Sequence, residues 1–189
     1  MRNYHLFILI IITLAFSACN NKSSEEGNSN TNTTTSETKG QSAVVDEVSD
    51  PNALQLAESL EDFSSLVQAI KKAGVEDAVV NAGPLTIFAP TNEAFAKLPE
   101  GTVDELFKPE NKAKLAHILT NHVAPANYPI EQLSKEAEKG RKLYMASGNY
   151  LDVVEKDGKI TVGGFEIVKS VKVSNGWIHV INDVIVPSN

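Results

Sequence analysis

The chain has one cysteine, Cys19. No intramolecular disulfide can form, and no CxxC metal or redox site can be built. A basic surplus is missing too: 17 Lys and Arg stand against 24 Asp and Glu, a net charge of −7. A nucleic-acid partner needs a basic face that displaces counterions from phosphates, so none is expected. Docking on anionic lipid through a polybasic patch is excluded on the same ground. No apolar run reaches the roughly 20 residues that a membrane-spanning helix needs. Catalytic patterns are also lacking. There is no G-x-S-x-G elbow around any serine, and no visible set of nucleophile, base and orienting group.

What is present begins at the N-terminus. Arg2 and His5 precede an apolar run from Leu6 to Phe16, interrupted only by Thr13, and the small residues Ser17 and Ala18 lead to Cys19. A polar start, an apolar centre and a small-residue cleavage site describe a secretory signal peptide over residues 1–18. The one thiol of the chain follows directly after that cleavage site. From Asn20 to Ser42 no residue is aliphatic or aromatic. Such a tract cannot bury enough apolar surface to offset its ordering entropy, so residues 19–42 are expected to be a disordered linker. As a flexible coil it would reach roughly 25–30 Å. Glu25 and Glu26 fit either an acidic surface-export signal or an ordinary solvated linker, and the second reading is favoured.

Residues 43–189 read as one folded domain, with no internal repeat long enough for a second. Asp50-Pro51 suits a helix N-cap followed by proline. Asp62 can cap the next helix, whose Phe63, Leu66, Val67 and Ile70 share one face, and Gly74 closes it. After Gly83-Pro84, Leu85–Ala89 reads as a short buried strand. Thr91 can cap a helix with Phe95 and Leu98 inward, and Thr102-Val103-Asp104-Glu105 has the spacing of a capping box. Leu115, Ile118 and Leu119 form another helical stripe, with His122 on the same face.

The second half changes period. Leu143–Ala146, Tyr150–Val154, Ile160–Val162, Phe165–Val173 and Trp177–Val186 are rich in β-branched and aromatic residues. Asp157-Gly158 and Asn175-Gly176 between them suit two-residue type I′ turns. Gly163-Gly164 also lies between strands, with no helix following, and marks a turn or bulge rather than a phosphate loop. The fold class is α+β: leading helices, then a mainly antiparallel sheet.

Candidate site residues divide between a functional and a structural role. His117 and His122 are five apart and point to different sides of a helix, unlike the i, i+4 pair of a zinc helix. Zinc needs three or four converging ligands, so no metal and no cofactor are expected. His122 is read as a hydrogen-bonded core residue and His117 as solvated. His179 alternates with Trp177 and Ile181 along a strand, which places the three on one face. A ligand-facing pair and a packed, satisfied imidazole are both open, and packing is favoured. Thr91 and Asn92 are candidates for contact, with helix capping as the structural reading.

Leu85-Thr86-Ile87-Phe88-Ala89-Pro90-Thr91-Asn92-Glu93-Ala94-Phe95 resembles the first signature of fasciclin domains. Leu119-Thr120-Asn121-His122-Val123 resembles their central tyrosine-histidine segment. Ser174–Asn182, with the ending Val184-Ile185-Val186-Pro187, resembles their second signature. The resemblance spans essentially the whole folded region. It implies helices packed on a β-wedge, and extracellular adhesion or matrix-type binding rather than catalysis. Two positions depart from the pattern: Asn121 stands for the usual tyrosine, and Ser170-Val171 for the Asp-Ile pair of animal members. Those motifs are linked with integrin binding in the animal members, so no binding residue is carried over from them and the ligand-binding residues stay unassigned. Phe16-Ser17-Ala18-Cys19 likewise resembles the lipobox of bacterial lipoproteins, which implies acylation of Cys19 and a lipidated linker over residues 19–42; several acyl chains, at ~0.8 kcal/mol per buried CH₂, would hold such a protein on a bilayer almost permanently. In such lipoproteins an aspartate after the cysteine favours inner-membrane retention; Asn20 stands there instead, which implies the outer membrane, on its periplasmic or surface face.

The expectation is therefore a lipid-anchored binding or adhesion module of the cell envelope, with no nucleic-acid partner and no catalytic activity. Its partners would be the bilayer, through Cys19, and an envelope or extracellular protein or glycan. A structural or regulatory envelope component is the alternative, and an envelope-polymer hydrolase a more distant one.

Overall fold

The computed structural model describes residues 50–81 and 83–187. The signal segment, Cys19, the linker and the expected domain start at Ala43 lie outside the described residues.

Six short helices come first: α1 (Ala53–Glu58), α2 (Ser64–Ala73), α3 (Glu76–Val80), α4 (Asn92–Ala96), α5 (Thr102–Leu106) and α6 (Lys112–Thr120). Strand β1 (Leu85–Pro90) is inserted before α4, and β2 (Val123–Ala124) follows α6. After α7 (Ile130–Glu138) come β3 (Lys142–Tyr144), β4 (Tyr150–Lys156), β5 (Lys159–Val162), β6 (Phe165–Val173) and β7 (Gly176–Ile181). They form a seven-stranded sheet in the order β2-β1-β7-β6-β5-β4-β3.

All pairings are antiparallel except β1 with β7, which run parallel from Leu85↔Gly176 to Pro90↔Ile181. Parallel neighbours need a long crossover. Everything from α4 to β6 supplies it, so the first strand and the last are zipped together one strand in from the β2 edge.

Two cores result. The helical core packs α1–α6 on one face of β1, β7 and β6, with Leu66, Ile70, Ile87, Leu115, Ile118 and Ile178 buried. The second core lies under α7 and joins Phe88, Leu133, Leu143, Val153, Val162 and Ile181. Strand β6 serves both by means of a bulge. Ile167 pairs with Ile181 while Lys169 pairs with Val180, leaving Val168 extra. One inserted residue reverses the alternation. Lys169, Val171 and Val173 therefore face the helices, and Phe165 and Ile167 pack on the second core.

Several local expectations shift. The α1 cap is Asn52, not Asp50, in a reciprocal box with Gln55. Asp62 caps nothing: Glu61–Phe63 is a 3₁₀ turn, and α2 starts after it. Thr102 is the first residue of α5 rather than its cap; Gly101, with φ +78, precedes it. Glu105 instead accepts from Asn111 and pairs with Lys108. The Asp157-Gly158 turn has positive φ at both residues, 53° and 75°, as expected, whereas β6 and β7 are joined by Ser174-Asn175, with Gly176 already in the strand. Strand β7 stops at Ile181, and Val184 and Ile185 continue as buried coil. Helices α3 and α7 have no counterpart in the sequence reading. In α7, Ile130, Leu133 and Ala137 make an apolar stripe masked by Glu131, Lys135, Glu136 and Glu138.

Candidate functional site

The residues singled out from sequence separate into places held together by hydrogen bonds. Thr91 caps α4, its side chain accepting from Ala94 N at 3.4 Å. Asn92 also caps, but across the chain. Its Oδ1 accepts from Ser65 N at 2.9 Å and its Nδ2 donates to Glu61 O at 2.9 Å. It thus supplies the N-terminal cap of α2 that Asp62 does not, which satisfies one of the helix's otherwise unpaired donors.

His179 is fully buried. Its Nε2–H donates to Tyr128 O at 2.7 Å, and Nδ1 accepts from Ser170 Oγ–H at 2.8 Å. The ring lies 5.6 Å from Phe88, at 26° to it, and 6.4 Å from Trp177, nearly parallel to it at 6°. Thr86 extends the network: its hydroxyl donates to Ala126 O and accepts from Tyr128 N. Burial holds the His179 pKa below its ordinary value, against the opposing pull of the Tyr128 carbonyl. Strands β1, β6 and β7 and the segment before α7 are fixed around a neutral imidazole.

His122 is likewise buried. Nδ1–H donates to Ile118 O at 2.9 Å, and Nε2 accepts from Ile185 N–H at 2.9 Å. The ring pins the C-terminal coil to the end of α6. Burial lowers its pKa to about 4, with the Ile118 carbonyl opposing. His117 is exposed. The neighbouring Asn121 is buried, with Oδ1 accepting from Ser147 Oγ and Asn149 Nδ2; it anchors the turn between β3 and β4. Ser170 serves His179 as described, and Val171 faces the helices.

Among the described residues no group of three or more His, Cys, Asp or Glu side chains could hold a metal ion. No helix among them is long and apolar enough to cross a membrane.

Of the singled-out residues only Trp177 and His179 meet. Trp177 is half-buried and rims a depression of about 500 Å³ with Asn127, Pro129 and Lys172. Asn175, read from sequence as a turn former, works through its side chain. It is buried, accepts from Ala53 N at 3.0 Å and donates to Val79 O at 2.9 Å, tying α1 and α3 to the β6–β7 turn.

A surface that the sequence reading passed over lies on the outward face of β3–β6. Tyr144 and Tyr150 are opposite partners in register, 48% and 63% exposed, with ring centroids 5.3 Å apart. Lys142 and Asp152 form the next rung, paired at 3.0 Å. Val154 and Val168 extend this face, both exposed. Its signal in the sequence is the period-2 pattern Tyr150, Asp152, Val154, but alternation names two faces without saying which one is covered.

Comparison with known proteins places these features. Residues 61–187 match the model of the fasciclin domain. The chain is 43% identical to Protein sll1483 of Synechocystis over 155 residues, covering 80% of this chain and 83% of that protein. It is 34% identical to transforming growth factor-beta-induced protein ig-h3 of Sus scrofa, covering 66% of this chain but 18% of that protein. A solved fasciclin domain pair from the insect cell adhesion molecule Fasciclin I shares the fold at TM-score 0.65 and 22% identity, covering 72% of this chain and 51% of the pair.

Proposed function

We propose that this chain, which belongs to the fasciclin domain family, is a binding or adhesion module tethered outside the cytoplasm by a lipid on Cys19, and that the outward face of β3–β6 makes the contact. The observation that carries this reading is the pair of solvent-exposed tyrosines on an antiparallel sheet, their rings in contact at a 56° tilt. Tyrosine offers a large amphipathic contact area at low entropic cost, and it is enriched in protein interfaces. Four of the large apolar side chains exposed among the described residues, Tyr144, Tyr150, Val154 and Val168, gather on this face.

The histidines favour binding over catalysis. Both buried rings are committed on both nitrogens to structural partners, which leaves neither one free to act as a base. The partner is an envelope or extracellular protein or glycan, and many weakly binding copies on one surface would hold by avidity. The solved neighbour from a cell adhesion molecule supports the same direction.

Complementation of a deletion strain tests the reading. The wild-type gene should restore adhesion or aggregation, and the Tyr144→Ser/Tyr150→Ser form should not, at equal display. Full activity of the double variant would exclude this face. Replacing Cys19 by Ala should remove acyl mass from the mature protein and release it from membranes; an acyl-free wild-type N-terminus would exclude the tether.

A further inference from the structure

A cavity of about 200 Å³ lies between α1, α2 and the helical face of the sheet. Its floor follows the strand register. Ile87, Ile178 and Val171 form one rung, and Ala89, Val180 and Lys169 the next. Leu54, Ala57, Leu66 and Ile70 from α1 and α2 make the walls. Small residues, Ala57 and Ala89 among them, leave the space open. An apolar cavity of ~150 Å³ is known to stay dry and to admit benzene-sized molecules, so this one has room for a hydrocarbon chain. Leu60, 44% exposed, lies at its edge and continues the apolar surface outward.

The edge also carries charge. Lys169 is the first helix-facing residue of β6 after the bulge at Val168. Its stem can lie along the apolar floor while its ammonium reaches water. Two other sheet lysines are paired, Lys142 with Asp152 and Lys159 with Glu166, but among the described residues Lys169 has no ion-pair partner. Asp62 also lines the cavity, and it disfavours a multiply charged guest.

We propose that the cavity binds the hydrocarbon chain of a small aliphatic monocarboxylate, with the carboxylate at Lys169. The site shares no side chain with the tyrosine face, and it stands or falls independently of adhesion.

The test is titration of the full chain with sodium decanoate below its micelle concentration, by calorimetry and methyl NMR. Saturable binding should occur, with shifts centred on Leu66, Ile70, Ile87 and Ile178. Lys169→Met should weaken decanoate roughly two- to five-fold, the range of one exposed ion pair, and leave decanol unchanged. Ala89→Leu, which fills the floor, should weaken both by roughly tenfold or more. Val171→Phe provides a second filling variant should Ala89→Leu not fold, as judged by circular dichroism. The proposal is overturned by no saturation at roughly millimolar decanoate, by shifts centred elsewhere, or by folded filling variants that bind like wild type. Decanol binding as tightly as decanoate overturns the role of Lys169.

Discussion

Acidification should weaken this domain through His122 before most carboxylates are protonated. The ring is neutral in the folded state, with a pKa lowered to about 4 from 6.5 by burial. In the unfolded chain it returns to the ordinary value. Between these two values the unfolded state binds the extra proton, so stability rises with pH there. The contribution is fully present above about pH 6.5, is lost progressively as pH falls toward about 4, and changes no further below. At about 1.4 kcal/mol per pKa unit, the window carries about 3 kcal/mol, a large share of a typical 5–15 kcal/mol. The geometry explains why the cost is not relieved locally. A proton on Nε2 would face the Ile185 backbone N–H, which cannot turn into an acceptor. At His179 the partner of Nδ1 is the Ser170 hydroxyl, which can rotate. Burial lowers that pKa too, so His179 adds to the loss with the same sign. Glu100, Glu105 and Lys114 line the depression that reaches His122. Hydrogen bonds from Lys108 and Asn111 hold the Glu105 carboxyl below its ordinary value, which adds a small loss of the same sign at lower pH. Urea unfolding of wild type and His122→Gln at about pH 7.5 and about pH 4.5 isolates the histidine, since the carboxylates contribute equally to both. The variant should start less stable and lose about 2–3 kcal/mol less across the interval. Equal losses, or an NMR titration of the His122 ring near 6.5 in the folded protein, would refute the reasoning.

Further outcomes follow from the packing. Gly176→Ala should destabilise by roughly 4 kcal/mol or more, a backbone-clash effect, because a Cβ there would lie 1.8 Å from Leu85 O at φ +143; thermal unfolding reads it. Asn92→Ala should cost ~1–2 kcal/mol by removing the cap of α2, with amide exchange rising first at Ser65. Leu133→Ala, fully buried under α7, should cost ~2–5 kcal/mol in urea unfolding and raise exchange in α7 and β4 before α2.

The sequence by itself determined the elements whose signals are local. The stripe Phe63, Leu66 and Ile70, the closing Gly74, the Thr91 cap and the Asp157-Gly158 turn each rest on a few neighbouring residues, and each recurs in the structure. It also indicated that His122 and His179 belong to the interior. Composition at the N-terminus set the expectation for Cys19, which lies outside the described residues. Only the tertiary structure decided which distant groups those residues serve. Asn92 caps a helix 27 residues earlier, Asn175 reaches back 122 residues to Ala53, and Gly176 is required because β7 lies against Leu85. The parallel β1–β7 pairing, the bulge at Val168, and the choice of Tyr144 and Tyr150 as the uncovered face depend on the same long-range closure. The physical reason is that capping and turn preferences act within a few residues, whereas register and burial are set by chain segments that meet only after folding.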